Sequence, residues 1–215
     1  MLRKIFESIR LYFRLYGFKG GIKFAYGLFR CSTESIYSLD LSKQDANDAI
    51  INQKLDVRLI DSTELFDAIS SDFSAAKGRF HASLDRGRVI SGKELLAVVY
   101  DEGKLAGWGW VKKGPMTYGS CRIGPMECAI HKCRTVSSHR RRGIYVTLLR
   151  RLVKIMPERG FEKAYIGAKS FNKASLRGIE KAGFEFIEEC NLGSFASRAL
   201  HHFRGKGPKV IQSSD

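Results

Sequence analysis

The sequence predicts an α/β (α+β) domain, in which short strands and amphipathic helices share one hydrophobic core. Three observations support that class. Strand-like and helix-like patterns alternate from about residue 54 onwards. Apolar residues make up 44% of the chain, which is ordinary for a globular protein with a full core. The 215 residues suit one domain with an appendage, and no apolar run reaches the ~18 residues of a membrane span.

Each element is predicted from its local pattern. Alternating or β-branched apolar residues indicate strands at residues 55–60, 94–100, 105–111, 126–136, 163–168 and 184–192. Apolar residues at helical spacing indicate helices after Ser62, at residues 146–156 and at residues 172–182. Ser62 is a suitable N-cap for the first of these helices. Pro157 ends the second helix, and Gly183 is a suitable residue to close the third.

The first thirty residues differ from the rest of the chain. They contain seven Lys or Arg residues and one acid, Glu7, and their apolar residues recur at helical spacing. A basic amphipathic helix of this kind suits the surface of an anionic membrane, or it packs on its own domain with its charges in water. We therefore expect a basic amphipathic helical extension at 1–30, a connector at 31–53, the main domain at 54–204 and a flexible tail at 205–215.

The net charge of +15 favours anionic partners. These are nucleic acid, an acidic membrane surface or phosphorylated small molecules, unless the charge is only a solvated basic surface. The start of the chain is basic but lacks the apolar run and cleavage site of a secretory signal. We therefore expect a cytoplasmic protein, which residues 1–30 would bring to the membrane as a peripheral protein.

The cysteines point to a reducing compartment. The five cysteines form no C-x-x-C pair, and three of them lie in strand-like apolar stretches. Buried thiols in a reducing cytosol fit this pattern better than a disulfide framework does. A zinc site built from Cys128, Cys133 and a histidine would not have the usual spacing, so we expect no metal.

The run from His139 to Tyr145 is the most informative stretch of the chain. It lies between a predicted strand and a predicted helix and contains Gly143. The segment from Lys132 to Lys154 has eight Lys or Arg residues and no acid. The first N–H groups of a helix have no intrahelical partner and lie at the positive end of the helix dipole. A strand, a glycine turn and a helix N-terminus therefore predict a phosphate-binding site here.

Two motifs make the chain resemble the GCN5-related N-acetyltransferase (GNAT) superfamily over about residues 54–200. The run Arg140-Arg141-Arg142-Gly143-Ile144-Tyr145 fits the first five positions of the family's acyl-CoA signature, Arg/Gln-x-x-Gly-x-Gly/Ala. Further on, Asn172-x-x-Ser175 followed by Gly183-Phe184 is similar to the family's Asn-x-x-(Ala/Ser)…Gly-Phe segment. The resemblance implies a mixed, mostly antiparallel sheet that is splayed at its central strands, with helices on both faces.

The resemblance also implies acetyl-CoA, or another acyl-CoA, as co-substrate. Backbone N–H groups of residues 141–145 would bind the pyrophosphate, and neighbouring arginines would neutralise the remaining charge. In the family, the pantetheine arm pairs with the strand before the turn. The expected cofactor-binding residues are Cys133, Thr135, Val136, Arg140, Arg141, Arg142, Gly143, Ile144, Tyr145, Asn172 and Ser175.

Two positions depart from the family pattern. The sixth signature position is Tyr145 instead of a small residue, so its ring must turn away or the pyrophosphate sits differently. Many members carry a tyrosine seven residues after the motif asparagine as general acid for the leaving thiolate, and that position is Ile179 here. A positioned acid is typically worth about 10²–10⁴ in rate. Tyr165 and Ser170 are candidates for this role by proximity in the sequence alone.

The candidate bases lie on the strand before the basic turn. Some members place a glutamate eleven residues ahead of the signature arginine, and that position is Ala129 here. Alternation puts Glu127 and His131 on one face, and histidine has a suitable pKa for deprotonating an amine near neutrality. Each has a simpler interpretation, His131 as a hydrogen-bonded strand residue and Glu127 as a strand-end charge in water. The candidate catalytic residues are His131, Glu127 and Tyr165.

The resemblance implies an acyl-CoA-dependent N-acyltransferase that moves an acetyl or other acyl group to a primary amine. The positive surface favours an amino sugar, or another phosphorylated or membrane-proximal amine, as acceptor. Two alternatives stay open, a GNAT-like domain that binds acyl-CoA without transferring it and a basic nucleic-acid-binding module. Because the chain shows no recognised nucleic-acid motif, nucleic acid is the less favoured partner.

Overall fold

The computed structural model describes residues 33–43, 54–77, 79–92 and 94–191. Residues Ser35–Glu188 form one compact unit. The strands are β1 (Thr33–Asp40), β2 (Leu55–Ile60), β3 (Glu94–Asp101), β4 (Lys104–Lys113), β5 (Met116–Tyr118), β6 (Cys121–Ile123), β7 (Glu127–Thr135), β8 (Lys163–Lys169) and β9 (Glu185–Asn191). The helices are α1 (Thr63–Ala68), α2 (Ser70–Lys77), α3 (Arg79–Ile90), α4 (Ile144–Ile155) and α5 (Lys173–Lys181). The extension predicted at 1–30 and the tail predicted at 205–215 lie outside the described residues.

Seven of the strands form one mixed sheet. Their order is β2-β3-β4-β7-β8-β1-β9, and β5 pairs with β6 in a separate hairpin. The strands β2, β3, β4 and β7 are successive antiparallel neighbours, whereas β7 and β8 run parallel. The predicted mixed, mostly antiparallel sheet is therefore confirmed, and its parallel pair lies at the centre.

The central pair of strands separates part-way along its length. The strands β7 and β8 pair only over residues 127–130 and 163–166, although β7 continues to Thr135 and β8 to Lys169. The register between β7 and β4 is also irregular just beyond this point, where Lys132 has φ +52°. A long side chain at positive φ is a strained conformation that marks a bulge. Within the described ranges, the second half of β7 therefore faces a gap on its β8 side.

Helices cover both faces of this sheet. On one face, α4 buries five apolar residues that recur at helical spacing, Ile144, Leu148, Leu149, Leu152 and Val153. On the other face, apolar residues from α1, α2 and α3 form a second core with the tryptophans of β4, namely Phe66, Phe73, Val89, Trp108 and Trp110. Burial of this apolar surface drives the layers together. Among the described residues, no helix is long and apolar enough to cross a bilayer.

Two parts of the fold differ from the sequence prediction. The expected connector at 31–53 is wrong for residues 33–40, which form β1 in the main sheet. Buried Ile36, Tyr37 and Leu39 hold this strand in the core, but the polar residues around them make the segment look like a loop. The segment after α1, where no element was predicted, contains α2 and α3.

Close contact between α4 and β4 depends on glycine, which gives a test of the fold. A Cβ at Gly107 would lie 2.8 Å from the carbonyl oxygen of Arg134 and 2.9 Å from Cγ2 of Ile144. Because the backbone oxygen cannot move away easily, we expect Gly107→Ala to lower the free energy of unfolding by about 1–3 kcal/mol. Chemical denaturation measures this change.

Gly87 on α3 is the matched control. It is exposed, and a Cβ there would meet no atom within 4 Å. Gly87→Ala should therefore raise the free energy of unfolding by about 0.5–1 kcal/mol through helix propensity. If Gly107→Ala and Gly87→Ala changed the free energy of unfolding in the same direction, that result would contradict the close contact at Gly107.

Candidate active site

The loop between β7 and α4 has the geometry of an anion site. After a 3₁₀ turn at Ser137–His139, Arg141 adopts φ +65° and Gly143 adopts φ +78°. Gly143 is the N-cap of α4, and no described side chain caps the helix. The N–H groups of the first turn of α4 therefore have no partner within the helix, and they lie where a phosphate would bind.

The three arginines of this loop differ in their environment. Arg142 lies 3.2 Å from a carboxylate oxygen of Asp101, in an ion pair whose arginine side chain is more than half exposed. Arg140 and Arg141 are exposed, and neither forms an ion pair within the described part of the chain. An exposed pair such as Arg142–Asp101 is worth only about 0–1 kcal/mol, so it offers little resistance to a phosphate that competes for the arginine.

The free edge of β7 leads to this loop. The N–H of Val136 donates to the carbonyl of Ala106 at 2.8 Å, and its own carbonyl accepts from His139 at 2.9 Å. The N–H of Val136, which we expected to be a cofactor contact, is thus already used by β4. Because successive residues of a strand direct their backbone groups to opposite sides, Cys133 and Thr135 are the residues whose backbone faces the gap.

The structure places the predicted catalytic residues on the face opposite α4. Cys128 belongs to the core that α4 covers, so alternation directs Glu127 and His131 to the other side. Tyr165 lies beside Glu127, and its hydroxyl donates to Glu127 Oε1 at 3.5 Å. The other oxygen of Glu127 accepts from the N–H of Gly124 at 2.7 Å. Burial, and then Glu127, raises the pKa of Tyr165.

His131 lies at the fork, directly after the last paired residue of β7. Its Nε2 is 3.8 Å from Oε2 of Glu94, and neither atom has a hydrogen-bond partner among the described residues. Burial, and then the charges of Lys132, Arg88 and Lys112, lowers the pKa of His131 to about 4. The imidazole is therefore neutral at pH 7 and can accept a proton, but burial makes it a weaker base than the ordinary histidine that the sequence predicted.

Glu94 is a site residue that the sequence analysis missed. It begins β3, far from His131 in the chain, and no local motif connects the two. Strand alternation was the available signal, because it places Glu94 on the same face as Leu96, whose side chain packs with Trp110. A glutamate directed to a tryptophan-lined face is unusual enough to mark a polar site.

The profile of the acetyltransferase (GNAT) family matches residues 62–184 of this sequence. The chain belongs to the GNAT acetyltransferase family. This match includes the anion loop, the fork between β7 and β8, and α5. Among curated proteins, none matches this sequence.

Solved structures share the fold of this GNAT domain. A GNAT-family acetyltransferase from Colwellia psychrerythraea has a TM-score of 0.53 and 17% identity, covering 80% of this chain and 60% of that one. A GCN5-related N-acetyltransferase from Sphaerobacter thermophilus has a TM-score of 0.55 and 16% identity, covering 82% and 56%. The structure of AAC(6')-Iy with a bisubstrate analogue, CoA-S-monomethyl-acetylneamine, has a TM-score of 0.51 and 15% identity, covering 62% and 92%. The chain thus spans 60% of the Colwellia chain and 56% of the Sphaerobacter chain.

In this GNAT domain, Tyr145 turns its ring away from the anion loop. A Cβ added to Gly178 of α5 would lie 2.6 Å from Cδ1 and 2.9 Å from Cε1 of Tyr145. The ring therefore rests directly on Gly178, between α4 and α5. Burial, followed by the neighbouring Cys133 and Tyr118, raises the pKa of its hydroxyl. The large sixth residue of the signature thus fills space between two helices.

Other family positions have structural roles here. Asn172 accepts from the N–H of Ser175 at 3.3 Å and donates to its hydroxyl at 2.8 Å, so the pair caps α5. Ile179, at the position of the family's general acid, is fully buried in the core. Ser170 is hydrogen-bonded to Ser35 at 3.2 Å. Contact of Asn172 and Ser175 with the cofactor stays a prediction.

The cysteines of β7 lie in apolar surroundings. Burial raises the pKa of Cys133 to about 12. Burial, and then Glu127, raises the pKa of Cys128 to about 12. Both thiols are therefore protonated at neutral pH and unsuited to nucleophilic attack. In the described ranges, no three His, Cys, Asp or Glu residues come together as metal ligands would.

The contact between Tyr145 and Gly178 can be tested with a double-mutant cycle. We expect Gly178→Ala to lower the free energy of unfolding by about 1 kcal/mol or more, because the new methyl group meets the ring. In a Tyr145→Ala background, the same change should raise it by up to ~1 kcal/mol, because only helix propensity then acts. Denaturation of the four proteins gives the coupling, and additive effects would place the ring elsewhere.

His131 should make stability depend on pH. Its folded-state pKa of about 4 lies below the unfolded value of about 6.5. The unfolded chain therefore binds more protons between these values, and the free energy of unfolding falls as the pH is lowered from about 6.5 to about 4. The part due to His131 is at most about 3 kcal/mol. Denaturation at pH 7 and pH 5 should show a smaller fall for His131→Gln than for the wild type, and equal falls would mean that His131 titrates normally.

Proposed function

We propose that this protein is an acyl-CoA-dependent N-acetyltransferase, which transfers an acetyl group from acetyl-CoA to a primary amine. The observation that supports this most is the continuity between two features of one segment. Among the described residues, the second half of β7 has no partner on its β8 side, and it leads directly into the N-terminus of α4, which no described side chain caps. A molecule with a phosphate group at one end and an extended polar arm at the other fits such a segment, and acetyl-CoA is a molecule of this kind.

In this proposal, the loop binds the phosphates and β7 guides the arm. The N–H groups of residues 143–145 receive the pyrophosphate, while Arg140 and Arg141 supply charge that no acid neutralises within the described residues. The backbone groups of Cys133 and Thr135 pair with the arm as a neighbouring strand would. This pairing directs the acetyl group towards the fork at His131.

The amine approaches the fork from the face that carries His131, Glu127 and Tyr165. The amine nitrogen attacks the acetyl carbon, a C–N bond forms, and the C–S bond breaks. Backbone N–H groups of the separated part of β7 stabilise the oxyanion, and His131 takes the proton of the nitrogen. Because Ile179 has no proton to give, the CoA thiolate takes one from water. Orientation of both reactants at one fork supplies much of the rate.

As the acceptor, we propose an amino sugar or another polar or phosphorylated primary amine. The net charge of +15 supports a phosphorylated amine, because an unmodified amino sugar is itself a cation at neutral pH. Two proteins of similar fold support an amino sugar: AAC(6')-Iy, solved with an acetylneamine conjugate, and a fungal glucosamine N-acetyltransferase region with a TM-score of 0.56 and 16% identity. A cytoplasmic location with residues 1–30 at an anionic membrane is part of the proposal, and sedimentation with anionic liposomes would test it.

The second candidate is binding of acyl-CoA without transfer, which the buried Ile179 favours. The two functions differ in one measurement, the release of free CoA in the presence of a panel of primary amines that includes glucosamine and neamine. Release above the rate of spontaneous hydrolysis supports transfer. Binding of acetyl-CoA without release supports the second candidate.

Binding of acetyl-CoA should depend on Gly143. We expect Gly143→Asp to weaken binding at least about tenfold, or about 1.4 kcal/mol, because a carboxylate at this turn repels the phosphates and adds a side chain at positive φ. Isothermal titration calorimetry with acetyl-CoA measures the affinity. Tyr145→Ala should keep the affinity of the wild type, because the ring lies on Gly178 and not in the loop.

Gly160→Asp is the matched control for Gly143→Asp. Gly160 has φ +79°, close to the φ of Gly143, but it lies after the 3₁₀ turn that follows α4. It therefore has the same backbone strain without the anion loop, and its variant should bind acetyl-CoA like the wild type. An equal loss of acetyl-CoA affinity in Gly143→Asp and Gly160→Asp would mean that backbone strain, and not the loop, explains the result.

A further inference from the structure

Three buried polar atoms in the same region have no hydrogen-bond partner among the described residues. They are Oε2 of Glu94, Nε1 of Trp110 and Nε2 of His131. Trp110 lies opposite His131 in the pairing of β4 with β7, and Glu94 lies on the neighbouring strand β3. A buried polar group without a hydrogen-bond partner destabilises the folded state, and proteins retain few of them. Three together indicate a site with a purpose other than stability.

The glutamate of this group is held from two sides. Its Oε2 lies 3.8 Å from Nε2 of His131 and 3.9 Å from Nη1 of Arg88. Arg88 is itself fixed, because it lies 5.6 Å above the ring of Trp110 and 3.6 Å from the buried carboxylate of Asp85. The carboxylate of Glu94 therefore has a defined place, from which a shift of about 1 Å would bring it within hydrogen-bond distance of the imidazole.

We propose that Glu94 is a positioning residue for His131, whose Nε2–H it accepts, so that Nδ1 becomes the nitrogen that takes the proton of the acceptor amine. A neutral imidazole carries one N–H, and a carboxylate facing one nitrogen fixes the N–H there. Because Nε2 is buried, a substrate would reach the imidazole at Nδ1. This inference rests on the proposed acetyltransferase function.

The step balances as follows. The amine nitrogen forms its bond with the acetyl carbon, the bond from that carbon to sulfur breaks, and the thiolate of CoA leaves. The proton on the nitrogen passes to Nδ1 of His131, which becomes an imidazolium with its second N–H directed to Glu94. The carboxylate stabilises this cation, and the proton then passes to water.

Glu127 and Tyr165 are less suited to the same work. Glu127 accepts hydrogen bonds from the backbone N–H of Gly124 and from the hydroxyl of Tyr165. Each of its two oxygens therefore already has a donor. Tyr165 pairs with Ala129, two residues before the fork. Of the three predicted catalytic residues, His131 alone combines a position at the fork with an acidic neighbour, Glu94, whose Oε2 is buried and has no hydrogen-bond partner among the described residues.

The tautomer of His131 tests the inference without any substrate. In ¹⁵N-labelled protein, long-range NMR correlations identify which ring nitrogen carries the proton, and loss of one signal set in His131→Gln assigns it among the five histidines. We expect the Nε2–H tautomer in the wild type, the same tautomer in Glu94→Gln, which keeps an acceptor oxygen, and a mixture in Glu94→Leu. An Nδ1–H tautomer in the wild type, or a tautomer that Glu94→Leu leaves unchanged, would overturn the positioning role.

Kinetics with acetyl-CoA and a panel of primary amines that includes glucosamine and neamine test the same inference during turnover. We expect Glu94→Leu to lower kcat at least tenfold with an unchanged KM for acetyl-CoA, and Glu94→Gln to recover part of the loss. In a His131→Gln background, Glu94→Leu should lower kcat no further. Losses that multiply would show that Glu94 acts independently of His131 and would overturn the inference.

The control and the wild type separate the two proposals. Glu185 is the exposed first residue of β9, as Glu94 is the first residue of β3, and Glu185→Leu should leave kcat and the tautomer unchanged. A wild-type protein that binds acetyl-CoA and transfers to no amine would overturn the proposed function, and the role of His131 as a base with it. A wild type that transfers, with a tautomer insensitive to Glu94, would overturn only the positioning role.

Discussion

Parallel strands that stop pairing part-way leave backbone N–H and C=O groups without partners, which is unfavourable inside a sheet. In this protein, β7 and β8 pair over four residues each and then separate, and the register of β7 against β4 shifts at Lys132, just beyond the last paired residue. The position of the anion loop, the free edge and the fork at His131 all follow from that separation. A substrate that supplies the missing strand partner would satisfy the groups that the fold leaves open.

The two faces of the sheet have different chemistry at this fork. On the face of α4, β4 carries glycines, and the helix comes close enough for its first turn to lie beyond the end of β7. On the opposite face, β4 carries Trp108 and Trp110, and the polar group of Glu94, His131 and Arg88 lies beside them. In the proposed function, donor and acceptor therefore approach from opposite faces of one sheet and meet at the gap between β7 and β8.

Local patterns predicted the parts of this structure that depend on local forces. The helix after Gly143, the strands β3 and β4 and the helix that follows Asn172 are set by residues within a few positions of each other. The segment at 33–40 was misassigned because its burial depends on strands distant in the chain. The pairing of Glu94 with His131, the bulge at Lys132 and the place of the Tyr145 ring are likewise products of tertiary packing, and no spacing in the sequence encodes them.

Tyr145 and Gly178 share a single volume. The ring of one residue occupies the space that a side chain at the other would take, so neither position can change size without the other. In a reciprocal exchange, position 145 on α4 would carry a small residue and position 178 on α5 a bulky one. The same space would then be filled from α5, and the sixth position of the signature would hold a small residue, as in the family. The spacing of α4 and α5 therefore depends on residues 145 and 178 together. Changing both at once would reshape the loop before α4 without leaving a cavity in the core.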